Sequence, residues 1–131
     1  MNKLGLKKIG VFTSGGDAPG MNAGIRAITR TAIAKNVEIV GIVGGYSGVV
    51  EKKFLPLNLR SVANIIQRGG TFLKTGRCLE FHKAEIRKQA VENLRTEGIE
   101  GLVCVGGDGS FRGAHLLWQE HKFPITGIPG T

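Results

Sequence analysis

The sequence predicts an α/β fold: a mostly parallel sheet with helices on both faces. Three observations carry this. Short apolar runs end in glycine pairs, at Gly15–Gly16, Gly44–Gly45 and Gly106–Gly107. Between the runs lie stretches whose apolar residues recur at helical spacing. The glycine-rich loops follow the strands, at their carboxyl ends, where open α/β sheets bind ligands. Strands alternating with helices make βαβ units, which pack as a three-layer sandwich around a parallel sheet.

Taken in order, KKIGVFT (Lys7–Thr13) reads as a short buried strand. From Gly20, GMNAGIRAITRTAIAK reads as a helix with Met21, Ile25, Ile28 and Ala32 on one apolar face. Arg26 and Arg30, four apart, point the other way. VEIVGIVGG (Val37–Gly45) is a second strand. Tyr46–Leu59 is mixed in pattern, and Pro56 argues for loop or edge structure there. SVANIIQRGG (Ser61–Gly70) predicts a short helix capped by Ser61. HKAEIRKQAVENLRTEG (His82–Gly98) is the clearest helix, with Ile86, Ala90 and Leu94 as its stripe and Gly98 at its C′ position. IEGLVCVGG (Ile99–Gly107) is a third strand, Ser110–His121 a further helix, and FPITGIPGT (Phe123–Thr131) a fourth strand.

At 131 residues the chain suits one domain with a real core. Its 21 glycines are well above ordinary usage, and their position after apolar runs marks them as ordered turns. The net charge is +8, of which +6 lies in residues 1–60, with nine Lys/Arg against three Asp/Glu. Such an excess attracts anions. No aromatic–basic stacking pattern or dense basic run points to nucleic acid, so a phosphorylated small molecule is the better fit. Cys78 and Cys104 have no metal spacing, and Cys104 inside its apolar run reads as a buried, inert thiol. His82, His115 and His121 match no ligand spacing and read as surface helix residues. Trp118 reads as packing. No segment reaches a membrane span, and a cytoplasmic location is expected.

Chemistry concentrates in TSGGDAPG, VGGDGS and IPGT. A phosphate chain must approach main-chain N–H groups, and a Cβ would stand in its way. A helix starting after the loop adds its partial positive end. An aspartate among the glycines can hold a divalent cation that bridges phosphate oxygens. GGDGS offers all three: Gly106 and Gly107 for approach, Asp108 for Mg²⁺, Gly109–Ser110 at the helix start. Each loop alone is also compatible with a purely structural turn, and Asp108 with a helix N-cap. GxxxxGK[ST] is absent, and Gly107–Gly113 spaces its glycines wrongly for GxGxxG.

TSGGDAPGMNAGIRAITR, NIIQRGGTFLKTGR, GIEGLVCVGGDGSFRGA and FPITGIPGT, in this order and spacing from Lys8 to Thr131, resemble the ATP-dependent 6-phosphofructokinases. The resemblance implies the N-terminal part of that family's ATP-binding domain, with residues 1–131 a partial domain. It implies transfer of the γ-phosphoryl group of ATP to the 1-hydroxyl of fructose 6-phosphate, a step of glycolysis, with Mg²⁺. By it, Gly16, Arg77, Cys78, Gly107, Asp108, Gly109 and Ser110 bind ATP, Asp108 holds the metal, and Thr131 belongs to the substrate loop. Glycine at Gly109 and Gly130 resembles the ATP-using rather than the pyrophosphate-using members. Arg26 and Arg30 match an effector site of bacterial members, although Leu59 departs from a third arginine of that site. A homotetrameric parent enzyme under allosteric control is implied. The family pattern continues from PGT to IDND, so the catalytic base is expected just beyond Thr131 and the chain alone is expected to be inactive. The rival readings are a diacylglycerol- or NAD-kinase-like enzyme, against which TSGGDAPGMN and RGGTF argue, and a non-catalytic nucleotide-binding regulatory piece.

Overall fold

The computed structural model describes residues 5–15, 20–65, 71–76 and 78–130. Its core is a five-stranded sheet in the order β3-β2-β1-β4-β5. The strands are β1 (Lys8–Thr13), β2 (Glu38–Ile42), β3 (Phe54–Pro56), β4 (Gly101–Gly106) and β5 (Ile125–Pro129). All neighbouring pairs are parallel except β2 with β3, which is antiparallel. The four strands read from the sequence are all present, each shorter than its apolar run. The segment of mixed pattern holds a two-turn helix, α2 (Tyr46–Glu51), and the edge strand β3, where Pro56 costs no ladder bond that an interior strand would need.

Adjacent residues point to opposite faces, and each face has its own core. Val11, Ile39 and Leu57 meet α1 (Met21–Ala34) through Ile25 and Ala32, together with Val62, Ile65 and Leu73. Phe12, Val40, Leu102 and Cys104 meet the opposite layer. That layer is α2, α3 (Ala84–Thr96) and α4 (Asp108–His121), through Val49, Ala90, Leu94 and Leu117. This is the expected three-layer sandwich.

Helix ends follow local chemistry. α3 ends as expected, with Gly98 left-handed at φ 83 and Ile99 N–H returning to the Leu94 carbonyl at 2.9 Å. α4 begins two residues earlier than its periodicity suggests, because Gly107 is extended and the chain turns helical at Asp108. The helix expected from Ser61 does not form over 61–65, where 61–64 are turn; residues 66–70 lie outside the described residues. Ser61 pairs with Asn58 instead: Asn58 Oδ1 accepts from Ser61 N–H at 2.9 Å, and Ser61 Oγ accepts from Asn58 N–H at 2.8 Å. These reciprocal bonds close a turn at 58–61, with Ser61 answering Asn58 rather than capping a helix.

Trp118 is only partly packed: it is 47 % exposed, with Lys122 Nζ 5.3 Å from its ring centroid. His82 and His115 are exposed and His121 half-buried. No helix among the described residues is long and apolar enough to cross a membrane.

Candidate functional site

β1 is followed by β2 on one side, while β4 lies on its other side. The chain therefore reverses direction across the sheet between β1 and β4, and a crevice opens beyond their carboxyl ends. The tips are tied there: Ser14 N–H donates to the Val105 carbonyl at 2.9 Å, and Gly130 N–H to the Gly106 carbonyl at 2.9 Å. A cleft of about 300 Å³ lies at this point, lined by Ser14, Gly15, Tyr46, Gly76, Cys78 and Gly107–Ser110.

Each wall has a local cause. Gly15 turns the chain out of β1 in a left-handed conformation, φ 87, that a side chain would strain. Gly107 is extended and α4 starts at once, so the unpaired first-turn N–H groups of a 14-residue helix open on the cleft. Asp108 is the first residue of α4. The N-cap before it is Gly107, and the Asp108 residue is exposed. The N-cap alternative is thereby answered: the cap position belongs to Gly107.

The third wall comes from residues 71–76 and Cys78. Thr13 Oγ1 donates to the Lys74 carbonyl at 3.0 Å and lies 2.8 Å from Thr71 Oγ1. Gly44 N–H donates to the Leu73 carbonyl at 2.9 Å. Asn22 Oδ1 accepts from Phe72 N–H, joining α1 to the same segment. Gly76 lies so close to the Gly44 carbonyl that a Cβ would sit 2.9 Å from its oxygen. The glycine pair after β2 therefore seats residues 71–76 against the sheet tips.

Cys78 lines the cleft, half-buried, with its thiol pKa raised mainly by burial. Cys104 is fully buried in β4, and burial pushes its thiol up to about 12, which makes it the inert thiol its apolar run predicts. The two glycines linked to donor choice differ. A Cβ at Gly109 would meet nothing within 4 Å, so a side chain there would project into open space. A Cβ at Gly130 would lie 3.0 Å from Val105 Cγ1 and 3.5 Å from Met21 Cε. A side chain at 130 would thus press on Val105, where one at 109 meets nothing.

Of the site residues read from the sequence, Cys78, Gly107, Asp108, Gly109 and Ser110 come together in this one cleft. Gly16, Arg77 and Thr131 lie outside the described residues. Arg26 and Arg30 sit on α1 and do not line the cleft. Four apart on the helix, they lie on one face but differ in exposure. Arg30 is exposed, whereas Arg26 is half-buried with a sealed Nε that has no hydrogen-bond partner. Ser14 and Gly76 line the cleft from inside the quoted motifs without having been singled out, and Tyr46 lies outside every one of them. For Tyr46 a signal existed: it is the chain's only tyrosine and directly follows a strand-ending glycine pair.

Residues 8–131 match the family model described as Phosphofructokinase. The chain belongs to the phosphofructokinase family. Curated relatives include the ATP-dependent 6-phosphofructokinase of a Thermoanaerobacter species and the ATP-dependent 6-phosphofructokinase 1 of Thermus thermophilus. Each is 58% identical over 126 residues, which is 96% of this chain and 39% of the relative. The chain thus spans about two fifths of the length of these phosphofructokinases. Among solved structures, the phosphofructokinase of Pichia pastoris in the T-state superposes with a TM-score of 0.89 at 38% identity. That match covers 97% of this chain and 15% of the other. A pyrophosphate-dependent phosphofructokinase from Marinobacter aquaeolei shares the fold at 18% identity and a TM-score of 0.78, over 95% of this chain and 33% of the other.

Proposed function

We propose that residues 1–131 form the nucleotide-phosphate part of an ATP:fructose-6-phosphate 1-phosphotransferase. The observation that carries this reading is the convergence at the β1–β4 reversal. The first turn of α4, the exposed Asp108 carboxylate and the unfilled space beside Gly109 share one cleft. Anionic oxygens would meet N–H groups and a helix N-terminus there rather than side chains.

The residues present fit a magnesium ion brought in on the nucleotide. Among the described residues no three His, Cys, Asp or Glu groups converge. Magnesium is commonly held by one or two carboxylates plus phosphate oxygens and water, and the exposed Asp108 supplies one such carboxylate. When bound, the ion neutralises charge on the phosphates. Gly107, Gly109 and Ser110 would present main-chain donors to the phosphate chain. Gly76 and Cys78 would bound the cleft on the other side, and Gly16 and Arg77 are assigned by the family resemblance to the same phosphates. Because phosphoryl transfer depends on positioning and charge stabilisation, these residues do their work by holding the donor in line.

The cytoplasmic location, the tetrameric assembly and an effector role for Arg26 and Arg30 go with this reading. The half-buried Arg26 and the leucine at position 59 weaken the effector part.

Calorimetric titration with MgATP tests the assignment. The chain is expected to bind, and Asp108→Ala to weaken MgATP while changing metal-free ATP much less. Equal affinities of wild type and Asp108→Ala for MgATP would remove the metal role. Absence of MgATP binding by the wild-type chain would remove the reading.

A further inference from the structure

We infer that Tyr46 is a positioning residue for the phosphate cleft, holding the first turn of α4 in place through its phenol. The inference rests on the MgATP reading above. Tyr46 is 7 % exposed, opens α2 and lines the cleft. Its hydroxyl donates to the carbonyl of Ser110, the third residue of α4, at 2.6 Å. That bond joins two elements 64 residues apart at the turn whose N–H groups face the cleft.

Everything around the ring restrains it. Gly44 and Gly45 leave β2 with φ of 93 and 66 and deliver Tyr46 straight into its helix. Phe12 of β1 packs on the ring at 4.8 Å between centroids and 59° between planes. Phe81 stacks on it at 4.2 Å and 23°. Gly113, one turn along α4 from Ser110, gives the ring its place: a Cβ there would be 3.1 Å from Cε2, Cζ and the hydroxyl oxygen. Behind Phe81, the Arg87 guanidinium donates to the Phe81 carbonyl at 2.9 Å and grips both Glu120 oxygens at 2.7 Å. At the other end of α2, the buried Asn93 amide donates to the Val49 and Val50 carbonyls at 3.1 and 2.9 Å. The phenol thus hangs on a frame made of α2, α3 and α4, and its one polar atom is spent on the phosphate-facing turn. Burial raises its pKa well above the usual phenol value, so it stays a donor throughout the neutral range.

A tyrosine uncoupled from the cleft would be blind to ligand, and Tyr46, the single tyrosine of the chain, makes that testable. Labelling with 3-fluorotyrosine yields one ¹⁹F resonance. MgATP is expected to shift it in step with the calorimetric binding curve. Tyr46→Phe keeps the ring stack and removes the donor. It is expected to bind MgATP about threefold to tenfold more weakly, the range set by one net hydrogen bond, with its circular dichroism unchanged. An unmoved ¹⁹F resonance in wild-type chain that binds MgATP by calorimetry would overturn the inference. So would wild-type affinity in a folded Tyr46→Phe. If Tyr46→Phe fails to fold, the ¹⁹F titration of the wild type decides alone. Failure of the wild type to bind MgATP overturns the nucleotide reading itself, and this inference with it.

Discussion

Gly109 and Gly130 are the same residue type with different physical reasons to be glycine. At 109 the space beyond the Cα is open, so Gly109→Val loses little packing while adding a branched side chain to a residue that lines the cleft. Affinity for MgATP is expected to fall at least about tenfold with the thermal midpoint nearly unchanged. At 130 an added methyl would press on Val105 and Met21. Gly130→Ala is expected to cost about 1–3 kcal/mol of stability by overpacking while leaving the affinity of the folded chain near wild type. Thermal unfolding and calorimetry of the two variants separate these effects. Equal stability losses would show that the distinction is wrong.

At the scale of elements, α3 and α4 are joined by Arg87 and Glu120. The Arg87 side chain is 7% exposed and that of Glu120 30%, so a nearly buried cation depends on a carboxylate near the surface. The hydrogen bond from Arg87 holds the Glu120 carboxyl below its ordinary pKa. A carboxyl lowered in the folded state adds stability that is present above its unfolded pKa and lost as pH falls through the folded value. Acid should therefore loosen the α3–α4 pair. Glu120→Gln is expected to cost about 1.5–3 kcal/mol in urea unfolding at neutral pH, with a shallower decline of stability below the ordinary carboxylate pKa. A Gln variant with the wild-type acid profile would count against this.

The whole molecule shows an asymmetry between its two sheet edges. β3 is three residues long, antiparallel and contains Pro56, features that discourage further pairing. β5 is parallel, and Thr126, Gly127, Ile128 and Pro129 are all exposed. Parallel strands are ordinarily covered on both faces, and Ile128 is 37 % exposed while Trp118 on α4 is 47 % exposed. Self-association through this edge is expected at high concentration, and Ile128→Lys should suppress it. Sedimentation velocity across a concentration series measures this; unchanged association in Ile128→Lys would place the contact elsewhere.

The order of strands and helices was legible in the chain because periods of two and 3.6 residues are local properties, and so was the GGDGS turn, whose glycines and aspartate are contiguous. The turn at Asn58, the start of α4 at Asp108 and the exposed Trp118 were not legible, because each depends on side-chain partners or on what a face packs against. Tyr46 reaching Ser110, and Gly76 seated on the Gly44 carbonyl, are contacts between distant segments, set by the crossover of parallel strands. The sequence by itself determined the layers, the loop chemistry and the family resemblance. Only the tertiary structure decided which loops share one cleft and which glycines face open space, because a parallel sheet brings together tips that are far apart in the chain.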